Sequence, residues 1–241
     1  MMRKIWLVAL VIGLVGCLDL KQARVTPEHR ALKNKVGIVV LLDPAPRVHH
    51  LQLSVMDSTA TTLDLPGWNV QAAVTNFLTQ RMRGMSLDVK AVTYQRDAFP
   101  PPYDSSMAYP NLERMRPALG AWAAAQGLDM VVVVYRQVEQ DFIGDSVENL
   151  LGYGVVRHGE ARTDAYAMVS LEALDTEGRV IGNSDGQKDV PMENDLWRDD
   201  FNVDKTPVAV TGPAADALTA KISQALLDAV LVAAQEAGLS H

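Results

Sequence analysis

Cys17 is the only cysteine of the chain, and its position limits the chemistry that its thiol could perform. It follows a basic start, Arg3 and Lys4, and an apolar run over residues 5–15. That run is about half of the roughly 20 residues that a membrane-spanning helix needs, so it is typical of a cleaved secretory signal. A single thiol allows no disulfide within the chain, and the fold must therefore depend on its apolar core.

The four residues that end at Cys17, Leu14-Val15-Gly16-Cys17, resemble the lipobox of bacterial lipoproteins, whose cysteine sulfur receives a diacylglycerol. The resemblance implies a signal peptide over residues 1–16, lipidation (palmitate) at Cys17 and a tether over residues 17–34. Because Leu18 rather than an aspartate follows the cysteine, it also implies anchoring at the outer membrane on the periplasmic face. Such a lipid anchor is sufficient for stable membrane attachment.

Ser146 is the one candidate nucleophile with a recognisable setting, because Gly144-Asp145-Ser146 resembles the nucleophile block of lipase-like esterases. That block lies near the start of the esterase domain, whereas here it lies mid-chain. The Asp-x-x-His block that supplies the esterase base is absent from the sequence, and the only late histidine is His241. We therefore predict that the protein is not an enzyme, with a hydrolase as the third hypothesis.

Metal ligands are the next candidates. His49 and His50 are adjacent in a predicted strand, so they point to opposite faces and cannot bind one ion together. The acidic residues over 185–204 could attract calcium, but Lys188, Arg198 and Lys205 lie among them, as in a solvated loop. Trp197 and Phe201 are predicted to attach this loop to the domain. We expect no metal and no cofactor, and calcium at the acidic loop stays open.

A glycine-rich apolar segment over residues 142–162 is the candidate partner surface. It could continue the flanking strands, form a contact patch or enter a membrane as a hairpin. The residues proposed for partner contact are Leu150, Leu151, Tyr153 and Val155. The formal net charge is −7 and no basic cluster occurs, so we expect an envelope protein as the partner and no nucleic acid.

Hydrophobic periodicity indicates the elements that position these residues. Two β-branched apolar runs, residues 36–42 and 130–134, are typical of strands buried on both faces. Further strands are predicted over residues 50–55, 60–65, 87–92, 164–174 and 179–190, and helices over residues 70–82, 112–127 and 213–237. Pro117 could mark the true first turn of the second helix.

This order predicts a single α/β domain over residues 35–241. Its mixed sheet has helices on both faces, and it ends in an antiparallel hairpin and a long helix.

The lipobox, the first buried strand, two crossover units and a late hairpin with a long helix together resemble one small α/β domain of periplasmic proteins. That domain occurs in lipoproteins related to the curli secretion lipoprotein CsgG, in the penicillin-binding-protein activator LpoB and in the N-terminal part of TolB. The resemblance covers residues 35–238 and implies a periplasmic lipoprotein that binds or scaffolds envelope proteins. It also implies the second hypothesis, an oligomeric secretion or assembly lipoprotein of the CsgG type.

Overall fold

A computed structural model describes residues 23–51, 59–101, 111–143, 146–159, 162–202 and 207–241. Four α-helices occur in this part of the chain: α1 (Pro27–Leu32), α2 (Val70–Arg83), α3 (Leu112–Ala125) and α4 (Pro213–Glu236). The first strands are β1 (Lys35–Val40), β2 (Arg47–Leu51), β3 (Thr59–Asp64), β4 (Asp88–Val89) and β5 (Met130–Arg136). They are followed by β6 (Val138–Ile143), β7 (Ser146–Leu151), β8 (Tyr153–His158), β9 (Arg162–Asp175), β10 (Val180–Pro191) and β11 (Val208–Ala209).

Nine of these strands form one sheet with parallel and antiparallel pairs. This confirms the mixed sheet that the sequence predicted, although the number of strands was not predicted. β1 lies between β4 and β5 and is parallel to both. β9 is antiparallel to β5, β8 and β10, and its pairing with β10 confirms the predicted late hairpin. β2 is antiparallel to β3, which confirms the first predicted hairpin, and parallel to β8. β6 and β7 form a separate two-stranded sheet.

Helices cover both faces of the large sheet. α2 and α4 bury their apolar residues on one face, against alternate side chains of β1, β5 and β9. α3 covers the other face with Met115, Leu119 and Ala123. α4 has the length and composition of a membrane-spanning helix, but the same residues form the centre of the core beneath β9 and β10. The predicted arrangement with helices on both faces is confirmed.

Local sequence explains where α2 begins, and it corrects one prediction for α3. The Asn69 side chain accepts a hydrogen bond from the Ala72 N–H and so caps α2. α3 begins at Leu112, and Pro117 lies inside it, so our placement of Pro117 in the first turn was wrong. The turn between β9 and β10 approaches this helix closely, since a Cβ on Gly120 would lie 2.3 Å from the Gly178 nitrogen.

The predicted tether needs correction, because residues 23–34 are part of the folded domain. Val25 is only 1% exposed and joins the main core, and its N–H donates to the Ala237 carbonyl at 2.9 Å. α1 follows directly, with Pro27 in its first turn and Thr26 as its N-cap. The sequence prediction missed this because six residues are too few to show a helical hydrophobic period.

Candidate functional site

Two strands of the large sheet are interrupted at the same level. β8 and β5 lie end to end along one edge of β9, because β10 occupies the other edge over residues 164–174. Met168 marks the boundary: its N–H donates to the Gly152 carbonyl at 2.7 Å, and its carbonyl accepts from the Gln137 N–H at 3.0 Å. The β6–β7 hairpin is therefore an insertion into what would otherwise be one long strand.

The neighbouring strand is interrupted in the same way. β1 pairs with β5 and β2 pairs with β8, and residues 41–46 form a loop between them. The backbones of β2 and β8 approach closely where this loop ends, since a Cβ on Gly154 would lie 1.8 Å from the Arg47 carbonyl oxygen. The loop and the base of the hairpin consequently lie side by side.

Three arginines converge on one carboxylate at this level, and we call Asp43, Arg47, Arg96 and Arg136 the Asp43 cluster. The Arg96 guanidinium donates to Asp43 Oδ1 at 2.9 Å, while Arg47 and Arg136 lie 3.6 and 3.8 Å from Oδ2. The four side chains are between 20% and 41% exposed, with Arg96 the most exposed. The cluster is therefore accessible from solvent and has more cationic than anionic groups.

Buried aromatic side chains hold the Asp43 loop in place. The Tyr153 hydroxyl donates to the Asp43 carbonyl at 2.8 Å and accepts from Trp68 Nε1 at 3.0 Å. Burial is the main cause that raises the pKa of Tyr153, so this hydroxyl stays protonated as a donor. Tyr94 supports the end of β1, because its hydroxyl accepts from the Val40 N–H at 2.7 Å.

An open cavity of about 260 Å³ adjoins the cluster and is lined by Leu41, Arg96, Asp97, Phe99, Pro100 and Pro101. It lies beyond the carboxyl ends of the parallel strands β1 and β4. After β1 the chain forms β2 and β3 before it reaches α2, whereas β4 leads to α3, and these two helices cover opposite faces of the sheet. Such a divergence opens a crevice, and this is the usual place for ligands in α/β sheets.

The Asp43 cluster has the groups that recognise anions. Guanidinium groups are permanently charged and donate paired hydrogen bonds to carboxylates or phosphates. The only anionic member, the Asp43 carboxylate, lies within ion-pair distance of all three arginines. The three arginines can therefore bind an anionic group, which either replaces the Asp43 carboxylate or lies beside it.

The sequence analysis missed this site, although one signal was present. Asp43 follows β1, Arg136 ends β5 and Arg96 follows β4, so all three come from the carboxyl ends of parallel strands. That rule identifies the crevice once strand order is known. Arg47 lies only four residues from Asp43, at the start of β2, and the pairing of β2 with β8 fixes this strand beside the base of the hairpin.

The predicted partner surface needs correction. Tyr153 and Val155 are 2% and 0% exposed, so their side chains belong to the core and cannot contact a partner. Both lie on β8, whose pairing with β2 and β9 buries the strand on both faces. Of the three alternatives for residues 142–162, continuation of the flanking strands describes β8, which pairs in the large sheet, whereas β7 belongs to the separate β6–β7 hairpin. Leu150 and Leu151 lie in β7, and their side chains are outside the part that the structure describes.

The other predicted site residues are not brought together. Cys17 lies outside the described residues, Ser146 begins β7, and His241 lies beyond α4 next to Arg81. His49 and His50 point to opposite faces as predicted, one against Tyr166 and the other against Trp197. Within the described ranges, no three potential metal-binding side chains form a group.

The aromatic pair of the acidic loop behaves as predicted. Trp197 and Phe201 are 8% and 0% exposed, and their rings contact each other edge to face at 5.4 Å. Both belong to the main core cluster, and they attach the loop to the domain.

Comparisons with known proteins gave matches among solved structures alone. No family model and no curated protein matches this chain. Protein XCC0632 of Xanthomonas campestris, from family model DUF330, matches with a TM-score of 0.37 and 11% identity over 82% of this chain and 79% of that chain. The PelC dodecamer of Paraburkholderia phytofirmans matches with a TM-score of 0.31 and 10% identity over 81% and 88%.

Lipoprotein GNA1162 of Neisseria meningitidis matches with a TM-score of 0.33 and 11% identity over 65% of this chain and 83% of that chain. All three matched proteins are bacterial, and GNA1162 is a lipoprotein. None of the three is named as a CsgG, LpoB or TolB protein, so that resemblance stays a prediction. At these TM-scores and identities we base no argument about function on the matches.

Proposed function

We propose that this chain is a bacterial envelope lipoprotein that is anchored at the periplasmic face of the outer membrane through Cys17. There it acts as a protein-binding or scaffolding module and performs no covalent chemistry. The sequence around Cys17 supports the anchor, since a basic start, an apolar run and Leu14-Val15-Gly16 precede the only thiol.

The Asp43 cluster is the observation that carries the binding role. Three guanidinium groups lie around one carboxylate, and all four side chains are partly exposed, so a partner can approach a locally cationic surface. Arginine is enriched at the energetic centres of protein interfaces, where it pairs with carboxylates of the partner. Arg136, at the end of β5, places the cluster at the base of the inserted hairpin. The partner should accordingly present acidic side chains.

A second candidate is the oligomeric assembly lipoprotein, which the β6–β7 hairpin favours. The two strands of this hairpin pair with each other in a sheet of their own. Each has six residues, or about 20 Å, whereas a membrane-spanning β-strand needs about 9–11 residues. The hairpin would therefore contact a neighbouring subunit rather than cross a bilayer.

Crosslinking in intact cells tests the proposal. The lipidated protein is purified from outer membranes with its crosslinked neighbours, beside the variants Arg96→Glu and Arg83→Glu. Arg96→Glu places a carboxylate beside Asp43 and should lower capture of a stoichiometric envelope protein by at least about 10-fold. Arg83 is an exposed arginine at the end of α2, so its variant should capture the partner like the wild type.

Three outcomes would contradict parts of the proposal. Equal capture by Arg96→Glu would reject the Asp43 cluster as the partner surface. A ladder of crosslinks to the protein itself alone would favour the oligomeric candidate. Absence of palmitate incorporation in the wild type, with Cys17→Ala as the reference, would reject the anchor.

A further inference from the structure

The distance between the proposed lipid anchor and the folded domain is short. This inference goes beyond the binding role and rests on the proposed lipidation of Cys17. Five residues separate Cys17 from Ala23, the first residue that the structure describes. Even a fully extended chain of this length reaches only about 20 Å. The part of the domain that holds Ala23 must therefore lie within that distance of the membrane.

Ala23 is fixed to the domain rather than free. Its N–H donates to Asn183 Oδ1 at 2.8 Å, and its carbonyl accepts from the Asn183 N–H at 2.8 Å. Asn183 pairs with Glu172, three residues from the end of the 14-residue strand β9. That strand is about 48 Å long, so the anchor can reach one end of the molecule but not the other. We call the end with Ala23, α1 and the end of α4 the anchor end.

The anchor end exposes an apolar helix face. The outward residues of α1 are Pro27, Glu28, Ala31 and Leu32, of which only Glu28 is charged. Leu32 is 80% exposed, and it is the only large apolar side chain with such exposure in the described part of the chain. An apolar face beside polar groups is the composition of helices that lie in a membrane interface.

Arginines flank this helix face. Arg24 and Arg30 line a cavity of about 330 Å³, and Arg81 lines an adjoining cavity of about 370 Å³. The two cavities share Ser240 and His241, and no Asp or Glu side chain lines either of them. The Arg30 guanidinium donates to the Gly238 carbonyl at 3.0 Å, which fixes it at the end of α4. Cationic groups are thus grouped here on a chain whose net charge is −7.

We infer that the anchor end binds the surface of the membrane that carries the lipid anchor. Leu32 and the outward face of α1 enter the interface, and Arg24, Arg30 and Arg81 bind the phosphates of anionic phospholipids. Cationic side chains near an anionic bilayer and a buried apolar side chain each add to surface affinity. The Asp43 cluster lies about halfway along β9 from this end and stays in the aqueous space.

A label at position 32 of the full-length lipidated protein tests the inference. Because the lipid occupies the Cys17 sulfur, Leu32→Cys introduces one thiol for an environment-sensitive fluorophore. The matched control is Gln71→Cys, an exposed position in the first turn of α2, about 15 Å along that helix from Arg81. In vesicles of phosphatidylethanolamine and phosphatidylglycerol, a quencher in the acyl chains should quench the label at position 32 at least 3-fold more, on the order expected for interfacial burial.

The outcomes separate this inference from the proposed function. Equal quenching at positions 32 and 71 in a protein that floats with the vesicles would overturn the inference while the anchor stands. A protein that does not float with the vesicles and carries no palmitate would reject the anchor, and the inference with it.

The headgroup role of the arginines has its own comparison. Replacing phosphatidylglycerol by phosphatidylcholine, or introducing Arg24→Ala with Arg81→Ala, should lower quenching at position 32 by about half or more. Arg114→Ala, an exposed arginine on α3, is the matched control. Unchanged quenching in both comparisons would exclude anionic headgroups as ligands of this end.

Discussion

Buried polar side chains make individual residues of this fold sensitive to pH. His49 is 5% exposed, its ring lies edge-on to Tyr166 at 5.9 Å, and within the described residues its Nε2 has no hydrogen-bond partner. Burial, with a smaller contribution from Arg47, lowers the pKa of His49 from 6.5 to about 4. The folded protein thus holds this imidazole neutral in a range where the unfolded chain binds a proton.

We predict that stability falls as the pH is lowered from 6.5 toward 4, because the unfolded state binds the extra proton first. Each unit of difference in pKa corresponds to about 1.4 kcal/mol, so the loss over the window is on the order of 3 kcal/mol. Urea unfolding of the wild type and of His49→Phe at several pH values measures it. The free-energy difference between the two proteins should change across the window, and a constant difference would contradict the assignment.

Carboxylates with lowered pKa add a pH dependence of the same sign. Burial disfavours the ionised form of Asp175, but hydrogen bonds from Arg179 and from the Glu177 N–H outweigh it and lower its pKa. Stability from Asp175 is therefore present near neutral pH and is lost as the pH falls through its folded pKa. The wild type and His49→Phe both contain Asp175. The difference between their free energies of unfolding therefore reports the contribution of His49 alone.

At the scale of elements, the insertion between β5 and β8 is the feature that organises the candidate site. The close approach of β2 and β8 depends on Gly154, because any Cβ there would collide with the Arg47 backbone. This contact holds Arg47 next to Asp43, so the element geometry and the cluster are coupled.

Gly154→Ala should accordingly destabilise the fold by about 2–3 kcal/mol, the cost of overpacking a close contact. It should also separate β2 from β8 and so weaken partner capture at the Asp43 cluster. Gly84→Ala is the control, since Gly84 has right-handed helical φ and its nearest contact, the Arg81 carbonyl, lies 3.2 Å from the added Cβ. Its effect on the free energy of unfolding should stay within about 1 kcal/mol. Equal urea midpoints for the two variants would contradict the proposed close approach.

Part of this element structure could be predicted from the sequence. The buried runs in β1 and β5 and the alternating pattern of β9 and β10 are periodic over enough residues to be recognised. β8 was not predicted as a buried strand, because its apolar residues lie between glycines and its partner β2 is about 100 residues away. The bounds of β6 and β7 were also missed, because these two strands pair with each other without a strong alternation of apolar and polar residues.

At the scale of the whole molecule, the N-terminal arm is a structural part of the domain. Burial of Val25 stabilises by about 1.5–2 kcal/mol, and each backbone hydrogen bond to β10 or α4 by about 1 kcal/mol. Residues 23–34 are therefore a folded part of the connection between the proposed anchor and the core.

Truncation measures this contribution. A chain that begins at Lys35 should be less stable by about 3–4 kcal/mol than one that begins at Ala23. Urea unfolding of the two purified chains provides the values. Equal stability of the chain from Lys35 would mean that residues 23–34 are a tether after all.

The sequence by itself supports the proposed localisation and predicted the α/β architecture, because both depend on local patterns. The Cys17 context is read over adjacent residues, and helix and strand periods are read over a few turns. The tertiary structure decided which side chains meet. Tyr153 became a buried support, Asp43 met Arg96 and Arg136 from distant segments, and Val25 docked at the end of α4. Contacts between residues far apart in the chain depend on strand order and register, and a single sequence does not specify those.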